Sequence, residues 1–206
     1  MRILLVGAGG VGDAIAKIAA RRDFFETMIV SDYDESRAER TIAWIETRHG
    51  PQNGRFVSAQ IDASDPDSVA SVALEHGATH VMNAVDPRFV MPIFHGAYAG
   101  GADYLDMAMS LSRPHPEAPY AETGVKLGDE QFEVAGDWEN SGRLALVGMG
   151  VEPGLSDVFA RYAADHLFSE IDELGVRDGA NLEVEGYDFA PSFSIWTTIE
   201  ECLNPP

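Results

Sequence analysis

Three glycines and an aspartate near the start of the chain carry its clearest chemical signal. Gly7, Gly9 and Gly12 have G-x-G-x-x-G spacing within Gly7-Ala8-Gly9-Gly10-Val11-Gly12, directly after the apolar run Ile3-Leu4-Leu5-Val6. A strand that enters such a loop and leaves it as a helix can hold a pyrophosphate. The first glycine allows the tight turn, the second lets backbone approach the phosphates, and the third lets the helix pack closely on the strand. The phosphate charge would rest on N–H groups that a helix start leaves without partners, with Ala8, Gly10 and Val11 completing the cradle. A second apolar run, Met28-Ile29-Val30, ends in Ser31-Asp32. Its carboxylate falls roughly 20 residues past the last glycine, where the ribose hydroxyls of a bound dinucleotide are expected. Without a ligand, the same residues read as a helix cap in a glycine-rich turn.

A repeating grammar of strands and helices must position these residues. Val11, Ile15, Ile18 and Ala19 recur on one face of the first helix, and Ser36 with Glu39 has capping-box spacing ahead of Ala38, Ile42 and Ile45. Residues 56–61 read as a third strand ending at Asp62-Ala63. Asp65-Pro66 then supplies an N-cap and a first-turn proline before Val69, Val72 and Ala73, with Gly77 as the stop. His80-Val81-Met82-Asn83-Ala84 is a fourth strand, Phe89, Ile93, Phe94 and Ala97 mark a helix, Tyr104-Leu105-Asp106-Met107 is a fifth strand, and 144–147 a sixth. Such alternation specifies an α/β fold, a Rossmann-type doubly wound parallel sheet with ligands beyond the carboxyl ends of the strands. Asp32, Asp62, Asn83 and Asp106 all fall at those ends, beside Ala63 and Ala84. Asp106 is the candidate catalytic acid–base group, with ribose contact or turn capping as its other reading.

The middle of the chain is less regular. Pro114, Pro116 and Pro119 make 110–120 a loop, in which His115 is either a proton shuttle or an exposed residue without a role. Phe132, Ala135 and Trp138 suggest a helix before the sixth strand. That strand runs into a second glycine-proline turn, Gly148-Met149-Gly150-Val151-Glu152-Pro153-Gly154, followed by the helical stripe Leu155, Val158, Phe159 and Tyr162. Beyond it, 171–177 and 182–187 read as strands joined by the hairpin signal Asp178-Gly179-Ala180-Asn181, and 194–203 as a helix. The expected organisation is therefore a dinucleotide-binding domain over 1–151 and, over 152–206, a linking helix and the start of a second, mixed α/β domain. Two strands and a helix are too little for a core of their own.

Composition narrows the classes. With 34 acidic against 14 basic residues the 206-residue chain carries a formal charge of −20, and Lys17 and Lys126 are its two lysines. Such a field repels nucleic acid and anionic membrane; it reads either as a well-solvated surface or as adaptation to high salt. One cysteine, Cys202, leaves no disulfide framework and no cysteine-based zinc site, so no metal is expected. A strand that starts directly after Met1-Arg2 leaves no room for a signal peptide, and no apolar run reaches the length of a membrane span, so the expected compartment is the cytoplasm.

With both glycine turns in view, the chain resembles the saccharopine dehydrogenase (saccharopine reductase) family, which includes carboxynorspermidine and carboxyspermidine dehydrogenases. The resemblance rests on Val6 through Gly12, Asn83-Ala84, Tyr104-Leu105-Asp106 and Gly148 through Gly154, with Ser192-Phe193-Ser194 and Asn204-Pro205 downstream. It implies hydride transfer between a nicotinamide and the carbon of a secondary amine or imine joining two amino-acid-like halves. It also implies a second domain that carries substrate contacts and homodimerisation. Two departures stand out. The resemblance implies an arginine a few residues after Ser192-Phe193-Ser194 to hold a substrate carboxylate, and Trp196 stands there, which leaves the substrate open. NADP-using relatives place a basic residue at the end of the second strand, whereas here Asp32 would repel a 2′-phosphate, so NAD is expected in preference to NADP. The competing function is a regulatory NAD(H)-sensing domain without catalysis. The continuation past 147 through a proline-glycine turn into new elements favours the enzyme.

Overall fold

The apolar runs become the strands of one parallel sheet, and the amphipathic stretches between them become the helices that cover it. In chain order these are β1 (Arg2–Val6), α1 (Gly10–Ala19), β2 (Thr27–Asp32), α2 (Glu35–His49), β3 (Phe56–Gln60), α3 (Pro66–Glu75) and β4 (His80–Asn83). There follow α4 (Val90–Ala99), β5 (Asp103–Leu105), α5 (Asp129–Glu133), α6 (Ala135–Asn140), β6 (Ala145–Leu146) and α7 (Leu155–His166). A 3₁₀ turn, Pro87–Phe89, leads into α4. The structure is a computed structural model and describes residues 1–177, 179, 183–188, 195 and 199.

The strand order is β3-β2-β1-β4-β5-β6, all parallel. β1 lies at the centre, paired with β2 on one side (Leu5 with Val30) and β4 on the other (Leu5 with Met82). The order reverses at β1, and a reversal opens a crevice at the carboxyl ends of the strands. Being covered on both faces, β1 is apolar at every buried position rather than at alternate ones. Ile3 and Leu5 join the core under α1 and α2 with Ala16, Val30, Ala38 and Ile45. Leu4 and Val6 join the opposite core under α3, α4 and α6 with Val69, Ile93, Phe94, Tyr104 and Trp138.

Several expectations need correction. Helix α1 turns Gly12, Ala16 and Ala19 to the sheet, while Val11 and Ile18 are each 51% exposed. Small residues win that face because the helix runs too close to β1 for branched side chains. The cap of α2 is Asp34, whose carboxylate accepts the Ser36 N–H at 3.1 Å, so Ser36 lies in the first turn rather than at the cap. The expected helix around Phe132 and Trp138 is two short ones, with Trp138 buried and Phe132 exposed. β5 and β6 are shorter than the apolar runs that contain them. Residues 171–177 form no strand; the described part of 182–187 is a turn closed by a bridge between Val184 and Tyr187. The expected helix at 194–203 lies almost wholly outside the described residues. Among the described residues no helix is long and apolar enough to cross a membrane.

Candidate functional site

At the top of β1 the three glycines have three separate jobs. Gly7 has φ +101, a conformation that favours glycine, and an added Cβ would lie 2.5 Å from Val85 Cγ1 and 2.8 Å from the Ala84 carbonyl oxygen. A Cβ on Gly12 would coincide with the Gly7 carbonyl oxygen, so this glycine lets α1 seat against the turn. Gly9 and Gly10 differ from both: a Cβ on either meets nothing within 4 Å. Gly9 has φ −77 and ψ −164, ordinary extended backbone, so its glycine is not required by a left-handed turn. Open space in front of bare backbone at a helix start is what an approaching phosphate needs. No side chain caps α1, so its first-turn N–H groups and its positive dipole end face that space.

Asp32 ties the loop to β2. Its Oδ2 accepts the Ala8 N–H at 2.9 Å, its Oδ1 accepts the Asp34 N–H at 3.1 Å, and Arg37 Nη1 lies 3.9 Å from Oδ1. Each carboxylate oxygen keeps a lone pair that can accept from a ribose hydroxyl. The loop opens into a hollow of about 480 Å³, lined by Ala8, Gly9, Gly10 and Asp13 and by Lys17, Arg37, Arg40, Thr41 and Trp44. Asp13 joins its two walls, accepting from Lys17 Nζ at 2.6 Å and from Thr41 Oγ1 at 2.7 Å, and the Lys17 ammonium stands 4.5 Å from the Trp44 ring centre. Arg40 donates to Ser36 Oγ at 2.8 Å. Sequence reasoning missed Lys17, Arg40, Thr41 and Trp44 as site residues. The signal was there in their spacing: Lys17 is four residues past Asp13, and Arg40 and Trp44 follow Arg37 on one helical face.

The remaining expected residues divide between the two flanks of the loop. Asp62 and Ala63 follow β3, on the β2 side; Asp62 is exposed, and hydrogen bonds from the Ser64 hydroxyl (2.6 Å) and N–H (2.9 Å) hold its carboxyl below the usual range. On the β4 side, the Ala84 N–H donates to the Val6 carbonyl at 2.8 Å and supports the glycine turn from beneath. Asn83, beside it, is buried and belongs to a polar network: its Nδ2 donates to the Tyr104 hydroxyl at 3.1 Å. Asp106 is only 1% exposed. Its Oδ1 accepts from the N–H groups of Gly148 (2.7 Å) and Met109 (3.3 Å), and its Oδ2 from Gln131 Nε2 at 2.7 Å. Burial, and then the charge of Asp106, push the Tyr104 hydroxyl well above its ordinary pKa. Asp106 thus fastens the second glycine turn to the loop after β5, and its carboxylate faces protein rather than an open cleft.

His115 is likewise engaged, its Nδ1 accepting the Ala118 N–H at 3.1 Å with Glu122 3.6 Å from its Nε2. Cys202, Trp196, the Ser192-Phe193-Ser194 stretch and Asn204-Pro205 lie outside the described residues.

Comparison with known proteins agrees with this architecture. Residues 3–146 match the family described as the saccharopine dehydrogenase NADP binding domain. A carboxynorspermidine synthase from Vibrio alginolyticus is 31% identical over 206 residues, covering 98% of this chain and 48% of that protein. A carboxyaminopropylagmatine dehydrogenase from Synechocystis is 29% identical, covering 97% of this chain and 46% of that protein. The chain therefore spans about half the length of these relatives. Among solved structures, apo histidine-tagged saccharopine dehydrogenase (L-Glu forming) from Saccharomyces cerevisiae superposes with a TM-score of 0.57 at 16% identity, over 81% of this chain and 31% of that one.

Proposed function

Because the chain belongs to the saccharopine dehydrogenase NADP-binding-domain family, we propose that it is the nucleotide-binding part of a nicotinamide-dependent oxidoreductase. Its substrate is a secondary amine or imine formed from amino-acid-derived halves, and hydride passes to or from the carbon next to nitrogen. The observation that carries this reading is the open backbone of Gly9 and Gly10 at the uncapped start of α1, beside the Asp32 carboxylate. In this reading the N–H groups of the first turn of α1 hold the pyrophosphate and Asp32 holds the adenosine ribose. The cofactor, when bound, supplies the hydride; the chain supplies binding, orientation and electrostatics. Asp106 acts by holding the Gly148 turn and the loop after β5 in place beneath the reacting end. Residues 152–206 begin the domain for substrate binding and homodimerisation, and the exposed apolar face of α7, with Leu155, Val158, Phe159 and Tyr162, is the surface that domain covers.

The finer cofactor choice in this proposal is NAD over NADP, although the family description names NADP. A 2′-phosphate about 4 Å from Asp32 costs about 1 kcal/mol in water and about 4 kcal/mol at an effective dielectric near 20. Arg37, 3.9 Å from the same carboxylate, offsets part of this, so the lower end applies and the expected preference is about fivefold. Calorimetric titration with NADH and NADPH at one salt concentration tests both levels. Binding of neither sinks the nucleotide reading. Tighter NADPH binding sinks the preference alone, and Asp32→Ala should erase the difference.

A further inference from the structure

Three of the chain's seven methionines, Met107, Met109 and Met149, fall in two short stretches that meet beyond the carboxyl end of β5, where residues 106–110 face the second glycine turn. The Met149 N–H donates to the Asp106 carbonyl at 2.9 Å, and an added Cβ on Gly150 would lie 2.5 Å from the Met107 carbonyl oxygen. Met109 closes this seam. A Cβ on Gly148 would lie 2.8 Å from its Sδ and 2.9 Å from its Cγ, and one on Gly128 would run into its Cε. The thioether is thus clasped between the bare faces of two glycines, both with left-handed backbone (φ +67 and +84). Met109 is left-handed too, at φ +65, which among the described non-glycine residues it shares with Asn53. A side chain in that region is held there by its surroundings. Here the holder is Asp106 Oδ1, which accepts the Met109 N–H at 3.3 Å and the Gly148 N–H at 2.7 Å.

Packing alone does not call for sulfur at this point, since another apolar side chain of similar volume would fill the space between the glycines. A thioether adds the capacity to take up an oxygen atom. Met109 is also partly exposed, whereas Met28, in the core, is 1% exposed. We propose that Met109 is an oxidative modification site, a latch that hydrogen peroxide opens and a methionine sulfoxide reductase closes. In the opening step the Sδ lone pair attacks one peroxide oxygen. The S–O bond forms as the O–O bond breaks, sulfur gives up two electrons, and water leaves. The sulfoxide does not suit the seam. Its oxygen is a strong acceptor among amides already engaged: the Gly148 and Met109 N–H groups by Asp106, and the Gly128 N–H by the Ser110 carbonyl at 2.9 Å. The Asp106 carboxylate that gathers two of them is an acceptor itself. Oxidation therefore parts the second glycine turn from the loop after β5 and loosens the turn from which α7 starts. No bound nucleotide is required.

A hydrogen peroxide titration of the 206-residue chain, read by peptide mass spectrometry and residue-resolved hydrogen exchange, tests this. Sulfoxide at Met109 should speed exchange of the Gly148 and Met149 N–H groups about tenfold, with Met28 unoxidised and exchange in β1 unchanged. Methionine sulfoxide reductase with dithiothreitol should restore slow exchange. Met109→Leu keeps an apolar filler of similar volume that peroxide does not oxidise, so its exchange should stay slow after treatment. Met149→Leu removes the most exposed thioether of the three and should remain sensitive. Unchanged exchange in chains whose Met109 is oxidised overturns the latch, as does an intact Met109 at doses that fully oxidise Met149. A Met109→Leu chain as sensitive as the unmodified one refutes the assignment to Met109. Where circular dichroism finds Met109→Leu unfolded, the unmodified chain decides: exchange that follows sulfoxide at Met149 rather than at Met109 across the titration refutes the proposal.

Discussion

Replacing Gly12 by alanine and Gly9 by valine should separate stability from binding, although both glycines belong to one motif. At Gly12 the new Cβ would coincide with the Gly7 carbonyl oxygen and lie 2.8 Å from its carbon. The obstacle is backbone, which no rotamer change can move aside, so α1 must lift from β1. Overpacking of a close-packed contact costs about 1–3 kcal/mol, and backbone in the way places this substitution near 3 kcal/mol. For a domain of this size that lowers Tm by about 6–12 °C. At Gly9 the added atoms meet nothing within 4 Å and φ is −77, so Gly9→Val leaves Tm within about 2 °C. Its branched side chain instead stands where the pyrophosphate meets the first turn of α1, and NADH binding should be lost. Thermal unfolding followed by circular dichroism, paired with calorimetric NADH titration, reads both effects. Unchanged stability in Gly12→Ala, or unchanged NADH affinity in Gly9→Val, would refute the division of labour.

Two further predictions concern the buried network beyond β4 and β5. Tyr104→Phe leaves Asn83 Nδ2 and Asp106 each short of a partner and should cost about 1–3 kcal/mol in urea unfolding at neutral pH. Because the folded pKa of Tyr104 is raised, its contribution is complete below the ordinary tyrosine value of 10.0 and is lost as pH rises toward the folded value. The unmodified protein should therefore lose stability more steeply above pH 10.0 than Tyr104→Phe, and parallel curves would contradict this. Asp106→Asn puts an amide N–H against at least one of the donors of Gly148, Met109 and Gln131, at a cost of about 1–3 kcal/mol. Faster hydrogen exchange at Gly148 and Met109 should accompany it, and exchange unchanged at both would argue against the anchoring role.

The sequence revealed the sheet because each strand is an apolar run with a punctuated end, and the topology follows from the rules for connecting parallel strands. It revealed the glycine loop for a similar reason: three glycines with different obligations seldom fall at that spacing after a strand. Periodicity misled at α1, where the longest apolar side chains, Val11 and Ile18, mark the outer face. Closeness of approach, which depends on the Gly7–Gly12 contact, outranks hydrophobicity there. Strand-end position also gave Asp32 and Asp106 the same standing. What distinguishes them is three-dimensional: Asp32 lies beside the open loop, while Asp106 collects donors from Met109, Gln131 and Gly148, up to 42 residues along the chain. The basic wall of Arg37 and Arg40 was equally hard to read, since the packing of α2 against α1 decides which of its charges face the hollow.

The division of the core by the sheet has a consequence for how this domain can vary. Ile45 on α2 and Phe94 on α4 belong to clusters on opposite faces that share no packed partner. Substitutions at two such sites should have additive effects on unfolding, whereas two within one cluster should couple by about 0.5–3 kcal/mol. The domain thus has two separately adjustable halves with β1 as their common wall. The α1–α2 half carries the loop and is bound by the geometry of Gly7 and Gly12. The half under α3, α4 and α6 reaches the loop only through groups such as Val85, which abuts Gly7, and away from that contact it is free to drift in side-chain volume.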